Sequence, residues 1–349
     1  MTASTSKDIR QISKQDLLDY CSSQGLPSFR ANQMWEWIWK KGVTRFDDMR
    51  NVPKDLRSKL SEDFHFQGVE LDKVQKSMDG TIKSRLKLHD GHMIEAVLIP
   101  VPKDKRFTVC VSSQVGCSLS CSFCATGKMK RMRNLDPAEI YDQVVIVNKQ
   151  CQEHFDANLT NIVFMGMGEP LLAYNNVLKG IEHITSEYGL HMSPRRITVS
   201  TVGIEKMIRK LADDGVRFNL ALSLHAAIDE KRDQIMPINE TNNLDALMLA
   251  LKYFYNTTNN RISYEYIAFE GFNDGIEDAR ALYHLCRDFP VRINIIEYNP
   301  VEGVPYVKSP EDRIDAFARY LTDKGVMVTL RRSRGKDIDA ACGQLANKG

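Results

Sequence analysis

From Phe107 onward the chain alternates between short apolar runs and helical patterns, and this alternation limits the fold more than any other feature. The runs cover residues 107–112, 161–167, 196–201, 218–224, 261–269, 292–298 and 326–331. Between them, Asp136-Pro-Ala-Glu139 supplies an N-cap, a proline at the first helical position and a capping-box glutamate. Further helical patterns run through 203–214, 244–255, 276–289 and 311–324. Strands separated in this way by helices pair in parallel. No dinucleotide-type glycine-rich turn follows the first run, which favours a partial (β/α) barrel. In such barrels the chemistry gathers at the C-terminal strand ends. Here those ends carry a cysteine loop, Gly166-Met-Gly-Glu-Pro170, Ser200-Thr-Val-Gly203, Ser223-Leu-His225 and Asn299-Pro300. Small and polar groups on separate strand ends describe one shared cofactor pocket.

The cysteine loop, residues 109–124, holds four of the eight cysteines, and Cys117, Cys121 and Cys124 follow the spacing Cys-x3-Cys-x2-Cys. Three thiolates on a tight loop can hold three irons of a 4Fe–4S cluster and leave the fourth iron open to a chelating substrate. A structural zinc site would need a fourth Cys or His nearby, and the next histidine downstream is His154. Buried cysteines that meet by chance are the plainer alternative, but free cysteines rarely crowd a Ser- and Gly-rich loop.

With 349 residues the chain has room for one large domain and a small one. It is 43% hydrophobic and 26% charged, as a globular protein is, and no apolar run reaches the roughly 18–20 residues of a membrane span. The start, Met-Thr-Ala-Ser-Thr-Ser-Lys-Asp, has no apolar segment of a secretory signal. Eight cysteines without such a signal argue for a reducing compartment and for metal or redox chemistry. A net charge of +2 announces no polyanionic partner. Local clusters do point to one: Lys103, Lys105 and Arg106; Lys128, Lys130, Arg131 and Arg133; Arg195 and Arg196; and Arg331, Arg332, Arg334 and Lys336.

Residues 1–68 read as a small helical domain. Ser13 is a fitting N-cap, a second helix ends at Gly42, and Pro53 opens a third. All three tryptophans lie here, and Trp35, Ile38 and Trp39 share a face that reads as a helical core, with base stacking as the alternative. Residues 69–106 turn to strands, with hairpin signals at Asp79-Gly80 and Asp90-Gly91, and form a β-rich adaptor. The barrel then occupies 107–335 and a C-terminal segment 336–349. Glu95 lies in an apolar strand, where alternation alone makes it a solvent-facing residue. By the same alternation Cys110 shares a face with Thr108 and Ser112. Cys342 sits in a small-residue segment that core packing explains poorly, whereas Cys21, Cys151 and Cys286 lie on helical patterns as apolar fillers.

The three-cysteine spacing is that of the radical S-adenosylmethionine (SAM) enzymes, and the resemblance continues along nearly the whole chain. Ser113-Gln-Val-Gly-Cys117, Phe123-Cys-Ala-Thr-Gly127, Met165-Gly-Met-Gly-Glu-Pro-Leu171, Ser223-Leu-His225, Met236-Pro-Ile-Asn239, Tyr298-Asn-Pro300 and Asp337-Ile-Asp-Ala-Ala-Cys-Gly-Gln-Leu345 resemble the adenosine-C2 methyltransferases that act on 23S rRNA and tRNA. The resemblance implies a radical SAM barrel of (β/α)6 type. It assigns Cys117, Cys121 and Cys124 to the cluster, and Gly168, Glu169, Ser200, Ser223, Leu224, His225 and Asn299 to SAM. Glu169 suits the amino group of SAM, because two preceding glycines let backbone approach closely.

C2 of adenine is electron-poor and cannot attack the SAM methyl group as a nucleophile. The resemblance implies a radical route that consumes two SAM molecules per turnover. One methylates Cys342; the other yields a 5′-deoxyadenosyl radical that takes a hydrogen from the S-methyl group, and the carbon adds to C2. Cys110 then forms a disulfide with Cys342 and frees the RNA, while Glu95 accepts the C2 proton. The expected partners are 23S rRNA, tRNA and an electron donor such as flavodoxin, for a monomer in the cytoplasm. The alternatives are a C8 methyltransferase of the sister family, which Glu169-Pro170-Leu171 disfavours, and a non-catalytic iron–sulfur RNA-binding protein, which would need neither Cys110 nor Cys342.

Overall fold

The computed structural model describes residues 6–347. Strand β1 (Lys7–Asp8) pairs in parallel with β2 (Phe64–His65) and so joins the two ends of a helical module. Between them lie α1 (Lys14–Ser23), α2 (Phe29–Trp39) and α3 (Lys54–Asp63). Ser13 caps α1 reciprocally: its hydroxyl accepts the Asp16 N–H at 3.1 Å, and the Asp16 carboxylate accepts the Ser13 N–H at 2.7 Å.

One ten-stranded sheet organises the rest. Strands β3 (Glu70–Lys76), β4 (Ile82–Lys87), β5 (Met93–Val101) and β6 (Arg106–Cys110) pair antiparallel in sequence order. A small pair, β7 (Gln114–Val115) with β8 (Arg133–Asn134), closes the neck of the cysteine loop. Strand β6 is also parallel to β9 (Asn161–Phe164), and the parallel series continues through β10 (Ile197–Thr201), β11 (Asn219–Ser223), β12 (Ile262–Ala268), β13 (Val291–Glu297) and β14 (Met327–Arg331). The sheet ends at β14 on one side and β3 on the other, so the barrel is open. All of β12 is buried, as expected of a central strand covered on both faces. The stretch between residues 70 and 101 is thus the antiparallel continuation of the barrel sheet, and its register sets Val97 opposite Cys110.

The crossover helices are α4 (Pro137–Phe155), α5 (Tyr174–Thr185), α6 (Glu205–Asp213), α7 (Asp229–Ile235), α8 (Leu244–Thr258), α9 (Ile276–His284) and α10 (Glu311–Asp323). Glu139 completes the capping box of α4 by accepting the Asp136 N–H at 2.8 Å. The helical module docks on α4 and α5. Arg10 donates twice to Asp142 on α4, at 2.7 and 2.7 Å. Trp39 is 1% exposed and stacks on His183 of α5, with ring centroids 3.5 Å apart and planes 4° apart. Burial pushes His183 down to about 4, so it packs as a neutral ring. The tryptophan face is therefore core, shared with the barrel. Trp39→Ala should cost about 3–5 kcal/mol in chemical denaturation, the usual cost of a large aromatic lost from a sealed site.

Candidate active site

The cysteine loop leaves β7 through Gly116, whose φ is +72° and whose Cβ, if present, would lie 2.2 Å from the Lys130 carbonyl oxygen. Only glycine lets the two arms of the neck approach this closely. Cys121 and Cys124 are then brought together by a turn in which the Cys124 N–H donates to the Cys121 carbonyl at 3.2 Å. The Ser122 N–H donates to the Ile235 carbonyl at 3.0 Å, which fixes the loop to the end of α7. Cys117, Cys121 and Cys124 line one cavity. Among the described residues, no three His, Cys, Asp or Glu side chains converge as ligands of one metal ion. An iron–sulfur cubane does not require that, because each thiolate binds a separate iron. Burial pushes all three thiols above their ordinary range, so loading the cluster must displace protons. Three thiols without histidine, on a loop with one face open to a cavity, fit a 4Fe–4S cluster with a free corner.

That cavity, about 840 Å³ of space counted with its open mouth, is the concave site that the strand ends enclose. Gly166, Gly168, Glu169, Ser200, Ser223 and His225 share its wall with the three cysteines. Gly168 has φ +91°, and a Cβ there would strike Gln114 at 2.4 Å. Glu169 is 2% exposed, and its two oxygens accept the N–H of Leu171 and of Val202, each at 3.0 Å. Among the described residues no cation pairs with it, and burial pushes its carboxyl up to about 7. The Ser200 and Ser223 hydroxyls lie 3.1 Å apart. His225 takes the left-handed conformation, φ +54°, and its Nδ1 accepts the Ile267 N–H at 3.1 Å. Burial and nearby Arg232 push His225 down to about 3, so the ring is neutral and presents Nε2–H as a donor.

Two of the residues expected to bind SAM face elsewhere. Leu224 is fully buried outside the cavity wall, and its backbone N–H joins β11 to the Glu265 carbonyl at 3.0 Å. Asn299 is 4% exposed and spends its amide on Ser333 Oγ at 2.9 Å, the Glu297 carbonyl at 3.3 Å and the Cys342 carbonyl at 3.5 Å. A residue absent from the expected site has a large part in its shape. Arg232 of α7 is fully buried and donates to the carbonyls of Leu224 (3.1 Å), Val202 (2.5 Å) and Ser223 (3.3 Å) and to the Asn239 side chain (2.5 Å). It gathers the ends of β10 and β11 under the cavity; the one cue in the sequence is its position just before Met236-Pro-Ile-Asn239.

A second cavity of 740 Å³ adjoins the first. Cys110, Arg331, Arg334 and Leu345 are among its lining residues. Cys342 is exposed and lines both cavities, as Cys124, Thr126 and Gly343 do. Burial, and Cys342 nearby, push the Cys110 thiol up to about 12. Arg331 opposes this and is itself held by Glu265 at 3.2 Å. The basic cluster after β14 is largely neutralised within the chain: Arg332 reaches Glu297 at 2.8 Å and Glu311 at 2.6 Å, and Lys336 reaches Glu297 at 2.6 Å. Arg133, after the cysteine loop, likewise pairs with Glu139 at 2.7 Å. These residues organise the site before any RNA arrives.

The Cys342 segment is tied down on both sides. Ala125 N–H donates to the Gly343 carbonyl at 2.7 Å, and Thr126 Oγ1 donates to the Leu345 carbonyl at 2.6 Å, which joins it to the cluster loop. Glu95 is 1% exposed, contrary to the solvent-facing position that alternation gave it. It lies outside both cavity walls and accepts the N–H of Ala346 at 2.9 Å and of Asn347 at 3.2 Å. Cys21 and Cys151 are buried fillers; Cys286 is half-buried just beyond the end of α9.

Residues 7–65 match the family described as ribosomal RNA large subunit methyltransferase N-terminal domain, and residues 111–285 match the radical SAM superfamily. A protein of Cytophaga hutchinsonii, described as a probable dual-specificity RNA methyltransferase RlmN, is 54% identical over 342 residues, covering 98% of this chain and 93% of its own length. The dual-specificity RNA methyltransferase RlmN of Nitratidesulfovibrio vulgaris is 44% identical over 344 residues, covering 97% and 94%. The crystal structure of a radical SAM methyltransferase from Sphaerobacter thermophilus has a TM-score of 0.92 to this fold at 36% identity, covering 98% of this chain and 100% of that one. No helix among the described residues is long and apolar enough to cross a membrane. Similarity of this depth over the full length, with a cluster loop and cofactor cavity in place, shows that the chain belongs to the RlmN family of radical SAM RNA methyltransferases, whose cofactors are a 4Fe–4S cluster and SAM.

Proposed function

We propose that this chain methylates C2 of an adenosine in 23S rRNA and of the adenosine 3′ to the anticodon in tRNA, and that Cys342 carries the methyl carbon. The observation that carries the reading is the place of Cys342: one side of it belongs to the chamber of Cys117, Cys121, Cys124 and Glu169, the other to the chamber of Cys110. A methyl carrier must meet the cofactor and then the substrate, and a partition residue does so without crossing the protein.

When bound, the cluster and SAM supply an electrophilic methyl group and, after one-electron cleavage of a second SAM, an acceptor for one hydrogen atom. Cys342 gives up its thiol proton to solvent, attacks the methyl carbon through its sulfur and becomes a thioether, and S-adenosylhomocysteine leaves. Its S-methyl group gives up one hydrogen atom and bonds to C2 of the adenine. Glu95 takes the C2 proton when the C-terminal segment that covers it through Ala346 and Asn347 moves aside. Its carboxylate keeps an acceptor site beyond those used by Lys83, Ala346 and Asn347. One electron leaves the adduct toward the cofactor chamber. Cys110 sulfur then bonds to Cys342 sulfur, the carbon–sulfur bond breaks with its electron pair on carbon, and that carbon gains a proton to become the methyl group. The two thiols end as a disulfide, which a two-electron thiol reductant reopens. A flavodoxin-type protein is the proposed one-electron donor, acting on a cytoplasmic monomer.

The test is anaerobic reconstitution with iron, sulfide, deuteriomethyl SAM and unmodified rRNA fragment or tRNA, followed by nucleoside mass spectrometry. The expected product is 2-methyladenosine that carries two of the three deuterons. An 8-methyl product, or three retained deuterons, would overturn the reading.

A further inference from the structure

We propose that Lys83 is a positioning residue for the Cys342 carrier, acting with Glu95 as a clasp that holds the C-terminal segment across the strand ends. The proposal rests on Cys342 being that carrier. Lys83 on β4 and Glu95 on β5 form an ion pair at 3.5 Å with side chains only 4% and 1% exposed. Burying two charges is costly, and a pair survives there only when further hydrogen bonds compensate. Those bonds converge on one element. Lys83 Nζ donates to the Asp339 carbonyl at 3.3 Å, and Glu95 Oε2 accepts the Ala346 and Asn347 N–H groups. The pair therefore grips the chain on both sides of Cys342.

A pair that served only the β4–β5 ladder would look different. Lys83 faces Val97 and Glu95 faces Arg85 in the register, so the two charges are diagonal neighbours rather than a direct cross-strand pair. What they share is the segment. Residues 339–347 contain no helix or strand to hold their own course. The central stretch, Ala340-Ala341-Cys342-Gly343, offers small side chains and little grip. Further anchors lie at the ends. Asn347 Nδ2 donates to the Met93 carbonyl at 2.7 Å, and Asp337 accepts from Ser77 Oγ at 2.5 Å and from the Met78 N–H at 3.1 Å. Between them the cluster loop and Asn299 hold the carbonyls of Cys342, Gly343 and Leu345, and the ion pair adds a contact on each arm of the turn, to Asp339 before the sulfur and to Ala346 and Asn347 after it.

The experiment uses the reconstituted full chain and two readouts. One is the rate at which iodoacetamide alkylates Cys342, followed by peptide mass spectrometry. The other is the ratio of 2-methyladenosine to 5′-deoxyadenosine formed. Lys83→Met should raise the alkylation rate and lower the ratio, each about tenfold, while 5′-deoxyadenosine still forms. Lys83→Arg, which keeps a cation and its donors, should restore most of both. Ala346→Pro, which removes one N–H from Glu95 without touching the ion pair, should move both readouts in the same direction. A folded Lys83→Met protein with wild-type alkylation and ratio would overturn the proposal. If Lys83→Met does not fold, unchanged readouts in Ala346→Pro overturn it. Failure of the carrier reading shows separately, as methylation that persists in Cys342→Ala, and the alkylation rate of Lys83→Met then still reports on the clasp.

Discussion

Cys342→Ala should yield no detectable methylated adenosine, a loss of at least about 10³-fold, because a covalent carrier cannot be replaced by proximity alone. The size of the effect follows from position. Among the described residues, Cys342 and Cys124 are the cysteines that line both chambers, and Cys124 is one of the three proposed to hold the cluster. Cys110 lines the second chamber only, so it cannot substitute as the first methyl acceptor. The fold should survive, because the segment is held by backbone groups rather than by the thiol: the Gly343 carbonyl by Ala125, the Leu345 carbonyl by Thr126, the Ala346 and Asn347 N–H groups by Glu95. Iron content and RNA affinity should therefore match the parent within about twofold, as expected when a side chain outside the contacts being measured is removed. Anaerobic iron analysis, filter binding and nucleoside mass spectrometry read the three quantities on one preparation. Full turnover in Cys342→Ala would remove the carrier from the mechanism.

The parts of this molecule that sequence makes plain are those set by local rules. The seven parallel strands follow from hydrophobic periodicity, and the cluster loop from a spacing that admits few chemistries. Helix α4 announces itself through Asp136, Pro137 and Glu139, each a start signal. Helix α5 carries no such signal: it is preceded by Ala173, which offers no capping side chain, and it contains Gly180. That glycine packs against α4, where a Cβ would meet Ile140 at 2.9 Å, so a residue that weakens the helical pattern is what lets α4 and α5 approach.

Facing directions at the strand ends were less legible than the strands themselves. Asn299 and Leu224 stand beside true cavity residues in sequence, yet a residue just past a strand is free of the two-residue alternation, and long-range partners decide where it turns. Asn299 turns to the Cys342 segment, a partner 43 residues away. Glu95 shows the same limit from the other side. Alternation exposes it, but Lys83 and the returning C-terminal segment bury it, and neither neighbour is visible from its own strand. Of the basic residues read as a surface for a polyanion, Arg133, Arg331, Arg332 and Lys336 are matched within the chain by Glu139, Glu265 and Glu297. Charge counted along a chain cannot reveal such pairing.

Glu169 gives the second large effect, and its sign is fixed by burial. Its carboxyl is pushed up to about 7 by desolvation, against the N–H of Val202, the hydroxyl of Thr201 and the N–H of Leu171, which pull it the other way. The folded, cofactor-free chain thus holds a proton that the unfolded chain has released, between the ordinary 4.5 and about 7. Its stability from this group is present below that window and is lost as pH rises through it. We propose that Glu169 holds the amino group of SAM, which calls on the ionised form because it accepts hydrogen bonds more strongly. SAM affinity of the reconstituted protein should therefore rise between pH 6 and 8, by up to about tenfold, and level off above. Glu169→Gln should bind SAM roughly 10- to 100-fold more weakly at pH 8, in line with losing one charge-assisted contact in a dry site. The variant should also lose the pH dependence, since an amide does not titrate. Its NH2 would meet the N–H of Leu171 or Val202, donor against donor, where the carboxylate now accepts from both. Equilibrium dialysis of SAM at pH 6, 7 and 8 measures both effects. A Gln variant with parental affinity and an unchanged pH profile would show that the amino group of SAM is held elsewhere in the cavity.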